Sequence, residues 1–163
     1  MERVRVLALL LREVLLRASD VRAQFPEAMC PTTALYLALA SAAAGIGGVQ
    51  IASGRVGPLK NGRMAPHFWL FDTETGTHID FTGYQFAPLV QPTHTIEGMK
   101  VTLLTCLPPA YVLDPPKARQ QARAYLNTFE RKQLRKYLRE AGVRAFLGGP
   151  MPAMFRPPGS VIR

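Results

Sequence analysis

The chain has 163 residues, of which 48% are hydrophobic and 19% charged, and its formal net charge is +9. This length and composition predict one globular domain with an ordinary core and argue against wholesale disorder. Two cysteines, Cys30 and Cys106, are too few for a disulfide framework and favour a reducing compartment. The excess of positive charge raises encounter rates with polyanions but does not by itself indicate a nucleic-acid partner.

The N-terminal segment predicts a helix from Glu2 to about Gln24, because apolar residues recur there at helical spacing. Arg12 and Glu13 interrupt its apolar run, so no signal peptide is expected. The protein is therefore expected to be cytoplasmic, or exported as an effector without an N-terminal signal. The uncharged run 28–54 contains proline, threonine and glycine, which favours a buried helix and a turn over a membrane span.

Cys30 lies at the start of a second predicted helix, Pro31 to Ala44. Proline suits the first helical position, since its missing amide proton is not needed there. At a helix N-terminus, unpaired amides and the positive end of the dipole favour a thiolate over a thiol. The sequence therefore predicts a nucleophilic cysteine.

Downstream, Val49 to Ala52 predicts a short strand, and Ser53 to Pro66 a loop that could border a substrate cleft. The runs His67 to Phe71 and Thr77 to Thr82 are rich in aromatic and β-branched residues. The turn-forming residues 72–76 separate them, so the two runs predict a β-hairpin.

The register of this hairpin decides whether a histidine meets an aspartate. A turn centred on residues 74 and 75 pairs Asp72 with Thr77, which sets Asp80 opposite Trp69. His67 and Asp80 then share a face as diagonal neighbours within side-chain reach. A loop of odd length would separate them.

A cysteine on a helix N-terminus, then a histidine strand and an aspartate strand, resembles the papain-like and transglutaminase-like cysteine enzymes. The resemblance covers residues 24–86 and includes Gln24, six positions before Cys30, because a glutamine that donates to the oxyanion often precedes the cysteine in that superfamily. Proline in place of tryptophan after the cysteine, and only 37 residues from Cys30 to His67, would make this chain a compact and divergent member.

The resemblance implies an α+β, papain-like or transglutaminase-like fold in which the nucleophile helix packs on an antiparallel sheet and a long helix follows. It implies a single catalytic domain at 1–147 and acyl transfer of the peptidase, amidase or glutamine deamidase type through a thioester on Cys30. His67 would be the base, Asp80 its orienter and Gln24 the oxyanion donor, with Trp69 as a cleft wall. A protein or peptide substrate and no cofactor are expected. Whether water, an amine or a hydroxyl resolves the thioester stays open.

Other residues could fill some of these roles. His78 is an alternative base and Asp72 an alternative orienter. Cys30, His67, His78 and Asp80 match no usual zinc spacing, so no metal is predicted. Cys106, at the end of a strand predicted for Lys100 to Thr105, is expected to pack structurally.

The C-terminal third supports a different function. Residues 87–98 are predicted to be irregular, and a helix is predicted from about Lys117 to Glu140. The stretch 117–144 contains nine basic and two acidic residues. The alternative to an enzyme is therefore a non-catalytic module that binds nucleic acid or an acidic partner through this basic helix. The proline- and glycine-rich residues 148–163 are predicted to form a tail.

Overall fold

A computed structural model describes residues 1–17, 25–27 and 29–113. Within these ranges the chain forms two α-helices, six β-strands and, after the third strand, a 3-10 helix at Gly83–Phe86. The elements are α1 (Glu2–Arg17), α2 (Cys30–Ala43), β1 (Val49–Val56), β2 (Ala65–Asp72), β3 (Thr77–Asp80), β4 (His94–Ile96), β5 (Met99–Leu104) and β6 (Tyr111–Leu113).

The described part is α+β, as expected, with both helices packed on one antiparallel sheet of strand order β4-β5-β3-β2-β1-β6. Gln24, the predicted helix at 117–140 and the tail at 148–163 lie outside the described residues. The basic stretch and the oxyanion donor therefore stay predictions.

The β2–β3 hairpin has the predicted register. Asp72 pairs with Thr77 and Leu70 with Ile79. Gly76 closes the turn at φ 67°, a left-handed conformation that glycine adopts without strain. Extending this pairing sets Asp80 opposite Trp69, so alternation places His67 and Asp80 on the same face.

Strand β1 is longer than predicted and continues to Val56, so the loop before His67 covers only residues 57–64. Gly54 suggested a loop, but a Cβ at this position would lie 2.9 Å from the Trp69 ring and would also meet the Val112 backbone oxygen. The glycine therefore lets two neighbouring strands approach closely.

Two further predictions about the later strands were wrong. Strand β4 lies inside the segment predicted to be irregular, and strand β6 was not predicted at all. Both are three residues long, too short for alternation to be recognised in a sequence. Cys106 is exposed rather than packed, because it follows the last residue of β5.

The sheet has an apolar cluster on each face. The larger cluster lies under the helices and joins Leu7 and Leu11 of α1 and Leu35 of α2 to Phe68 and Ile79 of the sheet. A smaller cluster, outlined by Val56, Trp69, Val90 and Tyr111, lies on the opposite face. Even-numbered β2 residues face the helices and odd-numbered residues face away. Neither helix in the described ranges has the length and apolar content needed to cross a bilayer.

Arg3 joins the start of α1 to the hairpin turn. Its Nε lies 2.7 Å from Asp72 Oδ2 and its Nη1 2.9 Å from Glu74 Oε2, and it also donates to the Gly47 carbonyl. Burial alone would raise the pKa of Asp72, but the hydrogen bond and charge of Arg3 outweigh burial and lower it. Asp72 is thus committed to this ion pair and is not the orienter of the histidine.

Replacing Arg3 with methionine should lower the free energy of unfolding by about 2–3 kcal/mol at pH 7, because Asp72 would stay buried and charged without its partner. Since the folded pKa of Asp72 is lowered, this contribution is present above about pH 4 and is lost as pH falls through the folded pKa. Urea denaturation at pH 7 and pH 3 measures it. The exposed Arg63→Met change is the control, and an equal loss in both variants would contradict the ion pair's role.

Candidate active site

Cys30 is the first residue of α2 and is 8% exposed. Pro31 follows it inside the first turn, and Met29 takes the N-cap position without a side-chain cap. The first-turn amides, that of Cys30 included, have no acceptor inside the helix, so they present partial positive charge beside the sulfur. This local arrangement is the one that the sequence predicts.

His67 and Asp80 form a buried pair on the sheet face opposite the helices. His67 Nε2 lies 2.6 Å from Asp80 Oδ2, and the two side chains are 0% and 2% exposed. The contact follows from the hairpin register, because it joins diagonal neighbours on adjacent strands.

Every oxygen of the Asp80 carboxylate has a partner. Oδ2 also accepts from the Tyr111 hydroxyl at 2.8 Å, while Oδ1 accepts from the Thr82 amide at 2.9 Å and from the Thr82 hydroxyl at 3.2 Å. Gly83 completes the enclosure, since a Cβ there would press on Asp80 and lie 2.9 Å from the Tyr111 hydroxyl oxygen. The carboxylate is therefore fixed in one orientation.

The pair is electrostatically coupled. Burial by itself would lower the pKa of His67, but the charge and hydrogen bond of Asp80, followed by those of Cys30, outweigh burial and raise it to about 10. Burial would likewise raise the pKa of Asp80, but His67, Thr82 and Tyr111 lower it. At neutral pH the pair is an imidazolium and a carboxylate.

The second ring nitrogen of His67, Nδ1, is not bound to Asp80. Nδ1 is buried and makes no hydrogen bond of standard geometry to another described residue. Cys30 contributes to the raised pKa of His67, so the sulfur lies near the imidazole. His67 and Asp80 are in contact, and the roles of the three residues stay predictions.

Aromatic rings surround the imidazole of His67. Trp69 stacks on it with centroids 5.6 Å apart and planes 26° apart, and Phe86 meets it edge-on at 4.9 Å. Tyr111 meets the Trp69 ring edge-on at 5.2 Å. Low dielectric around the histidine strengthens its interaction with the Asp80 carboxylate. Trp69, predicted to wall a cleft, is 2% exposed and mainly shields the imidazole.

The alternative base has a different role. Trp69 Nε1 donates to His78 Nδ1 at 2.9 Å, and burial lowers the pKa of His78. His78 is thus a neutral hydrogen-bond acceptor that contacts the indole. Within the described ranges, no three His, Cys, Asp or Glu side chains converge as a metal site requires.

Two cavities lined by residues that the structure describes lie near this site. The smaller, about 10 Å³, lies between Cys30, Thr33, Asp80 and Thr82 and holds about one water, so it is too small for a substrate. The larger groove, about 500 Å³, has the size of ligand sites. Phe86 lines this groove and also contacts His67. The groove is formed by Pro58, Leu59, Lys60, Asn61, Gln85, Phe86, Ala87, Pro88 and Leu89.

Comparison of the chain with protein-family models, with curated proteins and with solved structures finds no match. The roles proposed for the site residues therefore depend on their positions and contacts in this structure alone.

Sequence reasoning missed the residues that hold Asp80. Thr82, two positions after Asp80, carried a local signal, because a hydroxyl and an amide at this spacing commonly bond an aspartate. Tyr111 carried none, since it comes from β6, 31 residues further along the chain. No role was predicted for Phe86, whose ring contacts His67 and lines the groove.

Replacing His67 with glutamine, whose amide can still donate to Asp80, should destabilise the fold in a pH-dependent way. The histidine is charged in the folded chain up to about pH 10, but in the unfolded chain only below about pH 6.5. Its contribution is therefore complete below pH 6.5 and is lost as pH rises towards 10.

We expect a loss of about 3–5 kcal/mol at pH 5.5 that shrinks steadily towards pH 10. Chemical denaturation at pH 5.5, 7.5 and 10 measures it, and the exposed His94→Gln variant corrects for other titrating groups. A loss that grows with pH would show that His67 is not held as a cation.

Proposed function

We propose that the protein is a cysteine-dependent acyl-transfer enzyme in which Cys30 is the nucleophile, His67 the acid and base, and Asp80 the orienter. One observation carries the proposal. A buried imidazole is bound to a carboxylate through Nε2, and a thiol at a helix N-terminus interacts with the same ring. A cysteine near a histidine that is itself bound to a carboxylate is the arrangement expected for nucleophilic catalysis.

The electrostatics favour a reactive sulfur. A histidine beside a cysteine is a feature of reactive cysteines. The N-terminus of α2 adds a positive dipole end at the same position. Asp80 stabilises the imidazolium and holds its ring plane.

The proposed reaction has two steps. The Cys30 thiolate attacks the acyl carbon and forms a carbon–sulfur bond, while the bond to the leaving group breaks and the His67 Nδ1 proton passes to the leaving group. In the second step, His67 takes a proton from the acceptor, the acceptor oxygen or nitrogen bonds to the acyl carbon, and the thiolate leaves. The first-turn amide of Cys30 can donate to the oxyanion in both steps.

The groove supports a peptide or protein acyl donor. Its lining is mostly apolar, with Lys60 as its cation and Asn61 and Gln85 as hydrogen-bonding groups. Phe86 lies between the groove and the buried histidine, which it contacts edge-on. An apolar side chain and a backbone amide suit this mixture of surfaces.

The acyl-enzyme step can be tested with p-nitrophenyl acetate. We expect a burst of about one equivalent of p-nitrophenolate and an acetyl group on the peptide that contains Cys30. Cys30→Ala should abolish the burst, and Cys106→Ala should leave it unchanged. His67→Gln should slow the burst by about 100-fold or more, because no proton can then move between the sulfur and the leaving group.

Peptide mass spectrometry of the acetylated chain identifies the modified residue. Absence of a burst, or acetylation of Cys106 alone, would contradict the proposal. A burst that persists in His67→Gln would leave the cysteine as a nucleophile but remove the histidine from the mechanism.

A further inference from the structure

His78 lies outside the proposed catalytic residues, yet it is joined to them through one side chain. Its Nδ1 accepts the indole N–H of Trp69 at 2.9 Å. A face of the indole stacks on the imidazole of His67, with ring centroids 5.6 Å apart and ring planes 26° apart. Trp69 is thus held between two histidines, one by a hydrogen bond and the other by stacking.

This hydrogen bond requires a neutral His78. An indole nitrogen can only donate, so His78 Nδ1 must carry a lone pair, and the proton of the neutral ring lies on Nε2. An imidazolium has a proton on both nitrogens, so the Nδ1–H of His78 would point at the indole N–H of Trp69. Protonation of His78 therefore breaks the bond.

We propose that His78 is a positioning residue for the acyl transfer: its neutral ring holds the Trp69 indole against His67, and its protonation releases the indole and impairs the site in acid. The inference rests on the proposed function. It assigns to His78, considered above as a base, a role that acts only through Trp69.

The side chains packed around His78 do not titrate, so protonation of His78 itself is what breaks its hydrogen bond to Trp69. Trp69 and Phe71 of β2 face His78, and the Phe71 ring centroid lies 4.7 Å from the His78 ring centroid. On the other side, Leu104 of β5 pairs with His78. None of these titrates. On its own strand Asp80 is the nearest charged residue of the same face, and its oxygens are already bonded. Burial lowers the pKa of His78, which keeps the ring neutral at physiological pH.

The indole matters because it fills the space beside the catalytic histidine. Gly54, opposite His67 on β1, has no side chain, and the Trp69 ring lies over it. Moving the ring away would open this space, admit water and free the imidazole to tilt. Displacements of about 1 Å at a reacting group can cost about 100-fold in rate.

The chain provides its own probe, since Trp69 is the one tryptophan in the sequence. We expect an intensity step in tryptophan fluorescence below pH 6.5 in the unmodified chain. The step should be absent in His78→Asn, whose Oδ1 accepts in place of Nδ1 but does not titrate, and should persist in His67→Gln. The exposed His94→Asn variant is the control and should keep the step.

The rate of the p-nitrophenyl acetate burst should fall in acid with the same midpoint as the fluorescence step. His78→Asn should keep the neutral-pH rate and lose this acid limb. His78→Leu, which cannot accept the indole proton, should be slower than the unmodified chain by about 10- to 100-fold at neutral pH and should also lose the acid limb. Rescue by asparagine but not by leucine separates positioning from packing.

An acid limb that is the same in His78→Asn would overturn the inference while leaving the proposed function intact. A fluorescence step that is unchanged in His78→Asn would overturn it as well. A chain that shows the His78-dependent step but never acylates would overturn both the enzymatic proposal and the positioning role built on it.

Discussion

The ion pair between His67 and Asp80 is the contact around which this structure is organised. A charged pair without solvent is tolerated only when each remaining polar atom has a partner, because desolvation otherwise exceeds the attraction. Asp80 meets that condition with Thr82 and Tyr111, which brings the turn after β3 and the distant strand β6 to one carboxylate. The position of the imidazole follows from this arrangement, and its Nδ1 is the one polar atom of the pair without a hydrogen bond of standard geometry to another described residue.

The two faces of the sheet carry different parts of the structure. The face under α1 and α2 buries the larger apolar cluster, while the opposite face carries the histidine, the aspartate and the aromatic residues around them. Cys30 belongs to the helix side and lines a small cavity together with Asp80 and Thr82. The β2–β3 pairing ends at Leu70 and Ile79, so His67 and Asp80 lie just beyond the paired part of these two strands.

Local sequence rules predicted the parts of this site that depend on local geometry. Proline after Cys30 predicted the helix start, and the four-residue turn between Asp72 and Thr77 set the register that joins His67 to Asp80. Tyr111 could not be predicted in this way, because no short-range pattern links residue 111 to residue 80. Gly54 misled for a physical reason: glycine usually indicates a loop, but here it makes room for the Trp69 ring inside a strand.

Relative alkylation rates of the two cysteines provide the most direct test of a reactive sulfur at Cys30. Cys106 is exposed and Cys30 is buried, so accessibility alone favours Cys106. We expect the reverse at pH 6, where iodoacetamide should modify Cys30 at least about ten times faster than Cys106, because Cys30 lies at the N-terminus of α2 and near the His67 imidazole. His67→Gln should remove that preference. Faster modification of Cys106, with Cys30 reacting only after unfolding, would contradict the account.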